Sequence, residues 1–258
     1  MRRLRLLLEY DGTNYAGWQR QPAAVSVQGA VEAAASTLFH DATRVTGAGR
    51  TDAGVHALGQ AAHLSTISAL STDRILDGLN ALLPDDIVVK EVTETAATFH
   101  ARRDARLRVY AYAIVNRSRP SALLRRYACH VSHRLDFDAM RSAAPRFEGH
   151  QDFAAFRVTG TATTSTLCTV TSLRVEESDR GMVMVTIAAD RFLRQMVRMI
   201  VGTLLRVGRL ALAADAVSSI LASRNNQHAG PAAPAHGLYL VRVLYDADLP
   251  REQACRAP

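Results

Sequence analysis

Gly47-Ala48-Gly49-Arg50-Thr51-Asp52-Ala53-Gly54-Val55-His56-Ala57 is the stretch that decides how this chain is read. Three glycines, at 47, 49 and 54, let the backbone bend sharply and come close to a ligand. Between them Arg50 and Asp52 sit two residues apart. Spacing alone leaves this as a surface loop with a local ion pair. It is not a phosphate-cradling loop, which needs a lysine at a fixed offset, and it is not a dinucleotide fingerprint.

Upstream, the apolar run Leu4 to Tyr10 reads as a strand and Asp11-Gly12 as a turn. Apolar residues at Val27, Ala30, Val31, Ala34, Ala35 and Leu38 predict a helix over 27–39, with Ser26 as N-cap. Residues 43–47 read as extended and 60–65 as a strand. Thr72 to Leu83 reads as a helix stopped by Pro84, and 87–92 as a strand. A second half starts near residues 104–106. A strand over 107–115 places Tyr110 and Tyr112 on one face. Then come a helix over 136–147, clouded at its end by Pro145, and a hairpin of 172–177 with 182–188 around Asp179-Arg180-Gly181. The clearest helix spans 192–207. It has a broad apolar face, and Arg191, Arg194 and Arg198 line a second one. A polar stretch, 223–236, leads to a last strand at 238–245. The pattern predicts an α+β protein of two sheet-and-helix halves.

The chain has 258 residues and a net charge of +7. Such a basic balance points to a polyanionic partner, which for a cytoplasmic protein is usually nucleic acid. Lys90 is the only lysine among 31 basic residues, so phosphate contacts fall almost wholly to arginine, which forks phosphates and stacks on bases. Cys129, Cys168 and Cys255 are odd in number and far apart, with no CxxC pair, so neither a disulfide framework nor a cysteine zinc site is expected. No apolar run approaches the roughly 18–20 residues that span a bilayer. Glu9 and Asp11 break the Arg- and Leu-rich start. The expectation is a cytoplasmic protein with no membrane segment.

GAGRTDAGVHA at 47–57 resembles the signature of the tRNA pseudouridine synthase A family. Supporting strings follow in the family's order: EYDGTNYAGWQRQ (9–21), Val27-Gln28, GLNALLPDDI (78–87), FHARRDA (99–105), YAY (110–112), DFAAF (152–156), FLRQMVRMIVGTLLRVG (192–208) and APAHGLYLVRVLY (233–245). The likeness covers roughly residues 4–246. It implies two similar halves, each an antiparallel sheet with helices packed on one face, around a central RNA-binding cleft. The expected division is 1–104 with the GRTD loop, 105–246 with the arginine-bearing helix, and a tail over 247–258. It also implies isomerisation of uridine to pseudouridine at positions 38, 39 and 40 of the tRNA anticodon arm by a homodimer, with no cofactor and no metal.

By the same resemblance Asp52 is the catalytic carboxylate. The reaction breaks the N1–C1′ bond, turns the uracil and joins C1′ to C5. Nothing is gained or lost, so no cofactor is required. A carboxylate can attack C1′ or deprotonate the ribose, and the sequence does not choose between these. Arg50 is implied as charge partner of Asp52 and as the group that fills the space left by a flipped nucleotide. Tyr110 is implied to pack against the uracil, and Arg198 to reach the active site. Arg191 and Arg194 stand equally as RNA contacts or as a solvated face. Trp18 is expected in the core, Gln19 to Gln21 are possible RNA contacts, and His130 with His133 are incidental. Thr159 to Thr171 has no base where the family leads one to expect arginine or lysine around Thr164 and Cys168. Two other classes fit less well. A non-catalytic RNA-binding protein has no use for a carboxylate facing a polyanion, and a metal-dependent nuclease needs clustered carboxylates that the motif lacks.

Overall fold

A computed structural model describes residues 1–158, 165–178 and 181–248. The chain forms two compact units, Met1–Arg108 together with the chain from Leu240, and Val109–Tyr239.

In the first unit, β1 (Arg2–Tyr10) pairs antiparallel with β3 (His56–Thr66) on one side and β4 (Ile87–Thr95) on the other. The two-residue β2 (Thr46–Gly47) adds to β3, and β10 (Leu238–Leu244) is the other neighbour of β3. Cross-strand partners share a face, so the register sorts the side chains. Leu4, Leu6, Leu8 and Tyr10 of β1 stand opposite Leu64, Ala62, Gln60 and Ala57 of β3, and all of them are buried. Gln60 is thus a polar residue in a row of apolar ones. Between Leu8 and Tyr10 the register slips by one residue. A bulge of this kind re-aims side chains at a strand end.

Helix α1 (Val27–Phe39) is capped by the Ser26 hydroxyl, which accepts from the Gly29 amide. Helix α2 (Thr72–Leu82) is capped in the same way by Ser71 and stops before Pro84, which leaves Leu83 extended. The two helices pack closely: a Cβ on Gly78 would stand 2.6 Å from a Leu38 methyl. On the opposite face of β3, His63 is buried and its Nδ1 accepts the Ala101 amide. Tyr245 donates to the Ala101 carbonyl.

In the second unit, β5 (Leu107–Asn116), β9 (Met182–Ala189), β8 (Leu167–Ser178) and β7 (Gly149–Asp152) are neighbours in that order. The hairpin β8–β9 is as the sequence predicts, and β8 begins five residues earlier. The turn at Asp179 and Arg180 lies outside the described residues, as do Thr159 to Thr164 and the chain from 249, Cys255 included. Against the expectation of antiparallel sheets, β6 (Cys129–Val131) runs parallel to β5. The expected helix over 136–147 is α3 (Phe137–Ala143) followed by a 3-10 turn over Ala144–Phe147. Pro145, at the start of that turn, has no amide hydrogen to continue the α-helical ladder.

The helix expected over 192–207 begins only at Met196, as α4 (Met196–Gly208). Gln195 adopts a left-handed backbone with φ 61, which halts the helix there. Arg191 and Arg194 therefore precede α4, and the three arginines form no helical stripe. Only Arg198 and Arg206 of α4 escape full burial, so the helix is buried nearly all round rather than along one face. It lies against the segment before β10. A Cβ on Gly202 would fall 1.8 Å from the Pro231 carbonyl oxygen, and the Gly230 amide donates to Thr203 Oγ1. Sequence periodicity did not reveal α5 (Ala216–Ser223), which is short and has no side-chain cap. No helix among the described residues is long and apolar enough to cross a membrane.

Burial, with Arg3 and His100 nearby, holds the His63 imidazole down to about 4. Its neutral Nδ1 is the acceptor that the Ala101 amide needs. The unfolded chain binds this proton near pH 6.5, whereas the folded one does so only near 4. The His63 contribution to stability is therefore complete above about pH 6.5 and is lost as pH falls toward 4. Urea midpoints measured across that window should decline less steeply in His63→Gln than in wild type; parallel declines would contradict the assignment.

Candidate active site

The segment from Gly47 to Ala57 is held by hydrogen bonds along its whole length within the first unit. At its start the Ala48 amide donates to the Ala61 carbonyl at 2.7 Å, and Arg108 Nη2 donates to the Ala48 carbonyl at 3.2 Å. Gln60 Nε2 donates to the Gly49 carbonyl at 2.9 Å. Thr51 is fixed twice: its hydroxyl pairs with the Tyr10 phenol at 2.8 Å, and its carbonyl accepts the Trp18 amide at 3.1 Å. The Val55 amide closes a turn on the Asp52 carbonyl, and the Gly54 amide donates to the Tyr15 carbonyl. Residues on both sides of Arg50 and Asp52 are thus held by hydrogen bonds to β1, β3 and the segment after β1.

That turn is built to sit against the loop. Asp11 caps it, its carboxylate accepting from the Thr13 amide and hydroxyl. Gly12 and Gly17 leave no room for a side chain. A Cβ on Gly12 would fall 2.0 Å from the Val55 oxygen, and one on Gly17, where φ is +100, would fall 2.5 Å from the Thr51 oxygen. Gly47 lies flat on the Trp18 indole, at 2.6 Å from a built Cβ. Trp18 is 2% exposed and belongs to the core, as expected. The Tyr15 phenol donates to Asp86, and burial drives that phenol well above its usual range.

His56 closes the loop from β3. It is 2% exposed, its Nδ1 accepts the Gly12 amide at 3.1 Å, and Asp11 Oδ1 stands 3.0 Å from the same nitrogen. One nitrogen cannot both accept from Gly12 and donate to Asp11. The two contacts on Nδ1 are therefore alternatives set by the ring's tautomer, and either one ties His56 to the turn after β1. Burial pushes the Tyr10 phenol up to about 12, with Thr51 and Gln60 opposing it, so Tyr10 stays a neutral hydrogen-bonding group. Gln60 has no exposure at all, and its Oε1 has no hydrogen-bond partner among the described residues, so the amide is kept there for its donor.

On this frame Asp52 is half-buried and Arg50 exposed. The other two site residues expected from the sequence lie in the second unit. Tyr110 is 7% exposed on β5 and meets Phe192 edge to face, with ring centroids 5.1 Å apart. Arg198 stands in the first turn of α4. Its Nε donates to the Ala233 carbonyl at 2.7 Å, and the Ala233 amide donates back to the Arg198 carbonyl. Tyr112, two residues along β5 from Tyr110, is buried and donates to the Pro234 carbonyl, a structural role. Arg198 and Tyr112 are thus tied to consecutive residues, 233 and 234. Cys168 is fully buried with its thiol pushed up to about 12, so it carries no charge where the family leads one to expect a base. Arg191, from just before α4, donates to the Ser165 carbonyl and brings a positive charge to that stretch.

Among the described residues no three His, Cys, Asp or Glu side chains stand together as metal ligands. The residues that sequence reasoning missed are those that hold the loop: Tyr10, Gln60, His56 and the two glycines of the turn. Gln60 carried a visible signal, a polar residue among Ala57, Gly59, Ala61 and Ala62.

A family model described as tRNA pseudouridine synthase matches residues 7–104 and 143–246. The chain belongs to the tRNA pseudouridine synthase family. It is 48% identical over 245 residues to tRNA pseudouridine synthase A of Acetivibrio thermocellus, covering 95% of this chain and 100% of that protein. The protein of the same name from Chloroflexus aurantiacus is 45% identical over 254 residues, covering 97% and 91%. That from Methylobacterium radiotolerans is 43% identical over 250 residues, covering 95% and 99%. The chain is an enzyme of this family, an isomerase acting on uridine in tRNA.

The hydrogen-bonded loop gives a direct expectation. Gln60→Leu keeps the volume but strips the Gly49 carbonyl of its donor. That costs about 1–3 kcal/mol for the lost partner, read as a lower urea midpoint. Under conditions where the variant is fully folded, turnover falls at least about tenfold, because a reacting group displaced by a fraction of an ångström loses its alignment. A folded variant with wild-type turnover would show that this clamp does not matter.

Proposed function

We propose that the protein converts uridine to pseudouridine at positions 38, 39 and 40 of the tRNA anticodon arm, with Asp52 as the catalytic carboxylate. The observation that carries this is the half-buried Asp52 on a loop fixed on both sides by the hydrogen bonds to Gly49, Thr51 and Gly54. A carboxylate that must meet C1′ or the ribose proton within about 3–3.5 Å benefits from such a frame. The target nucleotide leaves its stack, because C1′ and C5 are poorly reached in a paired stem. Exposed Arg50 is suited to fill the vacated space. Tyr110 packs against the uracil, and its contact with Phe192 keeps the ring in place. Arg198, ordered by Ala233, serves as charge partner at the reacting centre.

The chemistry balances within the substrate. The N1–C1′ bond breaks, C1′ joins C5, and the C5 proton goes to solvent. The fixed carboxylate serves either route, attack on C1′ or removal of a ribose proton. The protein works as a cytoplasmic homodimer, and affinity for tRNA is dominated by phosphate contacts and therefore salt-sensitive. The division at residues 104/105 separates the half that carries Asp52 from the half that carries Tyr110 and Arg198.

The test uses tRNA tritiated at uracil C5, with a chelator present. Wild type releases the label to water. Asp52→Asn binds tRNA with near wild-type affinity and releases none, whereas release near the wild-type rate would remove Asp52 from the centre of the reaction. Tyr110→Ala weakens binding and turnover together, as expected for a stacking contact worth about 1–3 kcal/mol. Unchanged kinetics would make Tyr110 a core residue only.

A further inference from the structure

Between Asp104 and Asp136 the chain carries seven arginines and no acidic residue. Part of this stretch, residues 117–130 of the second unit, borders a cavity of about 260 Å³. Buried Val115 and Ala128 line it, as do exposed Pro120, Arg125 and His130. Side chains around it are ordered by backbone carbonyls. Arg117 Nε donates to the Arg119 carbonyl at 3.0 Å and its Nη2 to that of Pro120. Arg125 Nη1 donates to Ala122 at 2.7 Å, and His130 Nε2 pairs with the Arg117 carbonyl at 2.8 Å.

These bonds orient the Arg117 and Arg125 guanidinium groups and leave their charge intact, and exposed Arg119, whose carbonyl takes the Arg117 bond, adds a third charge. The contrast is with Arg2, Arg106 and Arg141, each of which faces a carboxylate at 2.7–2.8 Å. An ordered guanidinium gives up less freedom on binding, and its fork matches a phosphate.

We infer that this face, centred on Arg117, Arg119 and Arg125, holds the phosphate backbone of the tRNA as a contact additional to the one at the target uridine. The inference rests on tRNA being the substrate. The segment runs through turns and one three-residue strand rather than an amphipathic helix, so it lacks the continuous apolar face that binding at a bilayer surface requires.

The test is the triple variant Arg117→Gln, Arg119→Gln, Arg125→Gln, titrated with fluorescent tRNA over a salt series. Affinity should fall at least tenfold. The slope of log affinity against log salt should flatten by about 2–3, because each phosphate that an arginine no longer neutralises removes roughly 0.7–0.9 from it. In the tritium assay KM should rise more than kcat falls. Arg141→Gln, whose charge is already met by Asp138, should leave the slope unchanged. The corresponding triple lysine variant should recover the slope, which separates charge from folding. An unchanged affinity and slope in the glutamine variant would overturn the inference. So would a weaker affinity that sedimentation traces to dissociation into monomers, since the face would then be a contact between copies. If wild type binds tRNA but releases no tritium, the functional proposal fails while the salt slope still decides this one.

Discussion

The structure of the first unit turns on one constraint: a glycine-rich loop carrying a carboxylate must be held still although it has almost no side-chain bulk of its own. The solution is to hold it by its backbone. Carbonyls at 48, 49 and 51 and amides at 48, 54 and 55 all have named partners, drawn from β3, the segment after the first strand, Arg108 and the loop's own Asp52. Each such bond contributes only about 0.5–1.5 kcal/mol net, but leaving a buried partner unmet costs about 1–3. The loop is therefore far more expensive to move than its composition suggests. Glycine, normally the source of freedom, serves here for close approach. Gly12, Gly17 and Gly47 let backbone or indole lie where a methyl group would collide.

The same logic recurs in the second unit around Arg198. Gly202 and Gly230 bring a connecting segment onto α4 at a distance that no side chain would permit, and that segment supplies the Ala233 carbonyl that orients the guanidinium. Asp52 and Arg198 are each polar and only partly covered, and backbone groups of a neighbouring segment help to set both.

Much of this was legible in the sequence. Ser26 announced its helix, Pro84 ended another, an apolar run marked β1 and alternation marked β5. Asp52, Arg50, Tyr110 and Arg198 came from motif likeness. What was not legible depends on contacts distant in the chain. The hydrogen bond from Gln60 to Gly49, the indole under Gly47 and the parallel pairing of Cys129–Val131 with β5 have no local pattern. The late start of α4 was hidden because Leu193, Met196, Val197 and Ile200 keep helical spacing across a left-handed Gln195 that only the backbone reveals. Arg191 and Arg194 were consequently placed on a helix face they do not occupy.

The central claim is that the Asp52 loop is a fixed element rather than a flexible surface loop. Native-state hydrogen exchange of the Ala48, Gly54 and Val55 amides tests it most directly in the tRNA-free protein. Protection close to that of β1 and β3 amides is predicted, because these donors are met by the Ala61, Tyr15 and Asp52 carbonyls. Exchange as fast as that of the exposed connection at residues 67–70 would contradict the account, since it would mean that Asp52 is positioned only when tRNA binds.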